Sequence, residues 1–281
     1  MEAMIEVIKR RVSVRNYTDQ PIETEKLEQI DTILRSSIEG PFGNKVRIEK
    51  VDLTQMDRKE IKSFGTYGFI RGASLFVAGA VAERDKALED LGYCFEKVIL
   101  GVTSLGLGTC WLGGTFKRAS FARKINVSAD EICPVISPVG YARGKRTLQD
   151  RILRRMVGSD KRRPWHELFF EGDMQTPLKN ERAGYFAMAL ECLRLGPSAS
   201  NNQPWRIVKE HEADIFHLFL RRTKSYDRFV SVDLQSIDMG IAMCHFELAA
   251  QESGLGGKWE LVDHNINQGG TEYIASWKSI S

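Results

Sequence analysis

The chain of 281 residues has no apolar stretch long enough to cross a membrane. Its most apolar run covers residues 73–82, about half of the ~20 that a spanning helix needs, and it reads as a buried strand. The opening MEAMIEVIKRR has none of the apolar core of a signal peptide. Cysteine is sparse and odd in number: Cys94, Cys110, Cys133, Cys192 and Cys244, with no C-x-x-C pair. That argues against a disulfide framework or a zinc site and for reduced thiols in a cytoplasmic protein. H-E-x-x-H is missing as well, so no metal is expected. Nor is there an excess of charge. The 40 basic and 37 acidic residues leave a formal +3, too balanced to imply nucleic acid. Positive charge is bunched instead, at residues 9–15, 143–155 and 161–163. Such bunches suit phosphate groups, or are plain solvated helix faces.

What the sequence does contain is a repeat. Residues 90–111 align without a gap on residues 238–259. Asp90, Gly92, Leu100, Gly106, Leu107, Gly108 and Trp111 match Asp238, Gly240, Leu248, Gly254, Leu255, Gly256 and Trp259. Helices that align by accident share apolar spacing, not three glycines and a tryptophan. Each copy reads as a long, lightly charged helix buried at the centre of its half, ended by a Leu-Gly stop. Around them the spacing predicts helices at 3–11, 24–38 (Thr24 as N-cap) and 117–125, with strands at 46–53, 74–82 and 132–142. The second half should hold a helix at 181–194, strands at 205–210, 214–220, 257–263 and 271–278, and long helices lie at 87–105 and 235–253. The short spacing within 205–220 favours antiparallel pairs, hence an α+β fold over a doubly wound parallel sheet. The expected organisation is a half at 1–156, a charged linker at 157–180 and a second half at 181–281.

Four constellations carry candidate chemistry. Arg11-Val12-Ser13-Val14-Arg15 follows a helix; if extended, it points Arg11, Ser13 and Arg15 one way. Two guanidinium forks and a hydroxyl fit a phosphate or polar heterocycle, though a short basic run is more often solvated charge. The loop GPSASNNQPW, residues 196–205, concentrates hydroxyls and amides between a helix end and a strand, with a cruder echo, GPFGN, at 40–44. It can bond the edge of a flat ligand, or be an Asn/Ser turn. Gly113-Gly114 occurs in the first copy alone and lets a ligand approach the backbone, or forms a turn. Gly106-x-Gly108 is better read as a helix cap than as a dinucleotide loop. Finally, Arg143, Lys145 and Arg146 follow the last strand of the first half and either meet Arg11 or form a solvated tail.

Taken together, R-x-S-x-R, PSASNNQPW, GLGTCWLGG and the G-Y-x-x-x-K-R tail resemble the FMN-dependent nitroreductase family. The distribution of the pieces between the halves is similar to the branch in which two nitroreductase halves are fused into a dimer-like monomer. The resemblance implies a nitroreductase-like fold written twice and one FMN per chain. Its site would be composite: Arg11, Val12, Ser13, Arg15, Gly113, Gly114, Lys145 and Arg146 from the first half, with Pro197, Ser198, Ala199, Asn201 and Gln203 from the second. Val12 stands where the family usually has a basic residue. The activity implied is transfer of hydride from NAD(P)H through FMN to a nitroaromatic, quinone or similar small molecule. The chemistry is flavin-borne, with no catalytic side chain, nucleic acid or membrane involved. A flavin-binding sensor or carrier without turnover is the alternative, and a structural or nucleic-acid-binding protein using the basic segments is the second rival.

Overall fold

The computed structural model describes residues 2–57, 61, 64–66, 69–144, 161–223 and 232–280. Helices occupy Met4–Arg10 (α1), Thr24–Ser36 (α2), Ala87–Ser104 (α3), Arg118–Lys124 (α4), Trp165–Leu168 (α5), Asn180–Ala183 (α6), Ala187–Leu195 (α7) and Leu234–Glu252 (α8). Strands are Val46–Asp52 (β1), Leu75–Ala82 (β2), Gly108–Thr109 (β3), Glu131–Gly140 (β4), Phe169–Glu171 (β5), Trp205–Lys209 (β6), Ile215–Leu220 (β7), Gly257–Glu260 (β8) and Glu272–Ser279 (β9). Two sheets form, in the orders β1-β2-β4-β3 and β5-β6-β7-β9-β8. Every pairing is antiparallel except β5 with β6. The architecture is α+β.

The two long helices, α3 and α8, pack against each other between the sheets because both have lost side chains where they meet. A Cβ on Gly92 would strike the carbonyl oxygen of Ile237, and a Cβ on Gly240 would strike that of Glu89. Their flanks are apolar nearly all round: Leu91, Phe95, Val98, Ile99, Met239, Ala242, Met243 and Phe246 are all fully buried. Gly106 and Gly254 follow the two helices with φ of +78° and +75°, the left-handed stop that glycine takes without strain.

Strand β2 is covered on both faces, which is why residues 73–82 read as a continuous apolar run. Leu75, Val77 and Val81 join the central core with α3. Phe76, Ala78 and Ala80 point the other way, into a smaller cluster with Phe64, Phe121 and Ile136.

Three local expectations are revised. Residues 161–180, read as connecting chain, are packed: Leu168, Phe169 and Leu178 are at most 1% exposed, and β5 extends the second sheet. The helix expected at 181–194 is broken by Gly184, whose φ is +57°, into α6, a 3-10 turn and α7. Thr24 is the first helical residue of α2, one position too late to cap it; Glu23 holds the N-cap position and makes no side-chain capping bond.

Candidate functional site

The arm runs extended, as its alternation requires. The Arg11 amide closes α1 by donating to the Val7 carbonyl at 3.0 Å, and Val14 donates to Thr109 at 2.8 Å, laying Ser13 beside β3. Val12 is 44% exposed, whereas Arg11 is 8% exposed. Val14 packs against the smaller core cluster. Arg11 therefore turns inward while Val12 and its neighbour two residues on take the opposite side. The Arg15 carbonyl accepts from the Arg71 amide at 2.9 Å.

Behind Arg11 lies a buried polar network. Glu96 of α3 accepts from Trp111 Nε1 at 2.5 Å and meets His245 Nε2 of α8 at 2.8 Å. His245 Nδ1 contacts the Cys192 carbonyl at 2.9 Å. Arg11 Nε stands 3.9 Å from Glu96. Glu96 and His245 are fully buried. The network ties the arm to α3, α8 and α7, the helix that feeds the 196–205 loop. Yet Arg11 Nε and Nη1 are buried with no hydrogen-bond partner among the described residues. Leaving such donors unmet costs about 1–3 kcal/mol each.

The loop after α7 is anchored by Asp238 of α8, which accepts from the Ala199 amide at 2.9 and 3.1 Å. Burial pushes the Asp238 carboxyl well above its ordinary range, and the Ala199 bond opposes that. Ser198 Oγ accepts from the Gln203 amide at 2.9 Å. Ser200, Asn201 and Gln203 have φ of +50°, +56° and +50°, strain that concentrates at ligand clamps. The amides of Asn201 and Gln203 are committed to the segment at 161–163. Asn201 donates to Lys161 O at 2.9 Å and accepts from Arg162 at 3.2 Å, and Gln203 Oε1 accepts from the Arg163 amide at 2.7 Å. These two side chains shape the loop. Trp205 is fully buried in the central core.

The Gly113-Gly114 turn comes against the second half through α8. A Cβ on Gly113 would lie 2.7 Å from the Leu234 side chain. Gly114 is exposed. One residue beyond Leu234, Gln235 is fully buried; its Oε1 accepts from the Thr223 amide at 2.7 Å, while its Nε2 has no partner among the described residues. One turn further along α8 comes Asp238. The first turn of α8 thus joins the glycine turn to the 196–205 loop. The sequence reading missed Gln235, because a glutamine at a helix start looks like an ordinary solvent-facing residue, and missed Glu96 and His245, which occupy non-equivalent positions of the two repeated helices. The tail does follow the arm: the Arg143 amide donates to Asn16 O at 2.9 Å, and Arg143 Nε to Tyr17 O at 3.3 Å. Lys145 and Arg146 lie outside the described residues.

The echo loop at 40–44 occupies the corresponding place on α3. Asp90 accepts from the amides of Phe42 and Asn44 at 2.9 and 2.8 Å and from Asn44 Nδ2 at 2.9 Å. Phe42 packs on the central core. An open cavity of about 940 Å³ lies elsewhere, between residues 17–22, 52–54 and 70–75. It borders the far end of the arm and includes neither the glycine turn nor the 196–205 loop. All five cysteines are buried. Burial pushes Cys94, Cys133 and Cys192 up to about 12, so these thiols offer no thiolate nucleophile at neutral pH. Among the described residues no group of three or more His, Cys, Asp or Glu is placed to hold a metal, and no helix is long and apolar enough to cross a membrane.

Comparison with known proteins places this geometry. The family model described as "Putative TM nitroreductase" matches residues 3–250. The structure of a "putative nitroreductase" from Thermotoga maritima MSB8 aligns over 98% of this chain and 92% of its own, at 18% identity and a TM-score of 0.61. An "FMN-dependent Nitroreductase" from Clostridium difficile R20291 aligns over 51% of this chain and 90% of its own, at 22% identity and a TM-score of 0.41. A nitroreductase family protein from Clostridium difficile 630 aligns over 52% and 88%, at 20% identity and a TM-score of 0.41. No curated protein matches. With its motif-bearing arm, loop and glycine turn inside the matched span, the chain belongs to the putative TM nitroreductase family.

Proposed function

We propose that the protein is an FMN-dependent oxidoreductase built as a fused pair of nitroreductase-like halves, with one composite flavin site per chain. The observation that carries this reading is Arg11, a buried guanidinium with two donors unmet. An oxygen-rich, negatively charged ligand would satisfy it, and the unmet Gln235 Nε2 adds a second donor on the other side of the glycine turn. FMN fits that donor set: its phosphate suits Arg11 and Arg15, and its ring edge offers acceptors to Ser13 and Gln235.

The residues have distinct tasks in this reading. Arg11, held beside Glu96 and through it near His245, supplies fixed positive charge from a buried position, where charge acts strongly. Gly113 and Gly114 present backbone without side chains and admit a flat ring. Pro197, Ser198 and Ala199 close the opposite edge, with Asn201 and Gln203 keeping the loop in its strained form. Lys145 and Arg146 are proposed to add charge at the phosphate. Val12, turned to solvent, would border the entrance. FMN, when bound, would supply the hydride chemistry between NAD(P)H and a nitroaromatic, quinone or similar acceptor.

The pseudo-symmetric position is a poor second site. Ahead of α6, Glu171 is paired with Arg182 and Asp173 accepts from the amides of Gln175 and Thr176, so carboxylates stand where an arm would need cations. Phe42 replaces a hydroxyl-bearing loop residue. The test is the absorbance spectrum of the purified protein, the flavin released per chain, and oxidation of NAD(P)H. One FMN per chain is expected. Failure to take up flavin from a large excess of FMN would end this reading, and a ratio near two would end the single composite site.

A further inference from the structure

Strands β1 and β6 carry the similar strings VRIEK, at 46–50, and WRIVK, at 205–209. Both put an arginine on the strand face turned away from the central core, but in opposite electrostatic settings. Arg47 is neutralised. It donates to Glu131 at 2.7 and 3.2 Å and pairs with Glu49, two residues along the same strand face. Arg47 in turn holds the Glu131 carboxyl down to about 2. In β6, Val208 stands where Glu49 stands in β1.

Arg206 has no such carboxylate. It is only 5% exposed, its Nη1 donates to the carbonyls of Gln203 and Trp205 at 3.1 and 2.5 Å, and its Nε has no partner among the described residues. Two more arginines are brought to it by the backbone. The Arg163 amide is bonded to Gln203 Oε1 and its Nε to Asn202 O at 3.3 Å, and the Arg221 amide is bonded to Pro204 O at 2.8 Å. Glu167, the carboxylate acting on Arg206, is already bonded to Arg163 at 3.0 Å. Burial, with Arg163 and Arg221 adding to it, lowers Arg206 to about 10. A buried cation crowded by like charges is unfavourable unless a counter-charge arrives.

We propose that Arg163, Arg206 and Arg221 form an oxyanion site for a phosphate-bearing small molecule, at the outer end of the 196–205 loop and separate from the flavin site. Three guanidinium groups offer the forked donors that phosphate oxygens accept bidentately. The strand pair frames the contrast: in β1 the arginine meets two carboxylates of the chain itself, Glu131 and Glu49, whereas in β6 Val208 holds the position of Glu49 and Arg206 is left short of a counter-charge. The site does not depend on flavin binding.

The test is thermal stabilisation by inorganic phosphate at constant ionic strength, with chloride as the control, on the FMN-saturated protein. Wild type should be stabilised. Arg206→Met and Val208→Glu, the latter restoring the carboxylate of the first copy, should each weaken apparent phosphate affinity by about tenfold or more, the effect of one charge-assisted hydrogen bond. Arg221→Ala, at an exposed position, should weaken it too and keeps the test decisive if a buried variant does not fold. Arg11→Ala should leave the response intact. No stabilisation beyond chloride would overturn the proposal. So would wild-type affinity in the folded variants at 206, 208 and 221, or loss of the response in Arg11→Ala alone.

Discussion

Gly92 and Gly240 make the same contact with each other's helices: each lies against the carbonyl of the residue three positions before the other. A contact in which i meets j and j meets i is the signature of a twofold interface, here found inside one chain. Replacing either glycine by alanine drives a methyl into backbone, which cannot repack as a side chain can. Each single variant should lose about 1–3 kcal/mol or more, with similar losses at the two positions. Denaturant midpoints check this. A large loss at one position with none at the other would contradict the symmetric packing.

Arg11→Ala tests the proposed flavin site directly. Removing a charge-assisted bond to the phosphate should weaken FMN binding by about 1.5–3 kcal/mol, read by flavin fluorescence titration. Unchanged affinity would take Arg11 out of the site.

The Arg47–Glu131 pair sets a pH dependence. Glu131 falls from an ordinary 4.5 to about 2, chiefly through its bond to Arg47. A depressed carboxyl contributes stability above its unfolded value and loses it as pH falls towards its folded one. Glu131→Gln should therefore be less stable than wild type at pH 7 by about 1–3 kcal/mol. The gap should close between pH 4.5 and about 2. A gap that persists unchanged to pH 2 would contradict the assignment.

If α3 and α8 satisfy within one chain the surface that a dimer would use, the protein should sediment as a monomer. A tight dimer that persists at nanomolar concentration would argue against the fused-pair reading.

Much of the framework was legible in the sequence because glycine and periodicity leave durable marks. The long helices ended at the glycines of the repeat, Gly106 and Gly254, and β1, β2, β6 and β7 fell within a residue or so of the expected bounds. Strand β5 was hidden, since three residues in a charged stretch give no period to detect. The network behind Arg11 was hidden for another reason. At the repeat's spacing Glu96 corresponds to Cys244 and His245 to Lys97, so the residues that meet across the helix pair are not copies of one another. A repeat reveals equivalence, not contact. Gln235 and the commitment of Asn201 and Gln203 to residues 161–163 likewise depend on which segment lies opposite, which only the folded chain decides.

The loop at Ser200, Asn201 and Gln203 has a practical consequence. Three non-glycine residues within four positions are held in left-handed backbone, each at about 1–3 kcal/mol of local strain. An effort to raise thermal tolerance by relieving backbone strain would be drawn to this loop first, with Ser200→Gly as the obvious choice. The same change would loosen the edge proposed above to face the flavin. Stabilising work on this protein is better aimed away from the loop, since the easiest gain and the most sensitive surface coincide there.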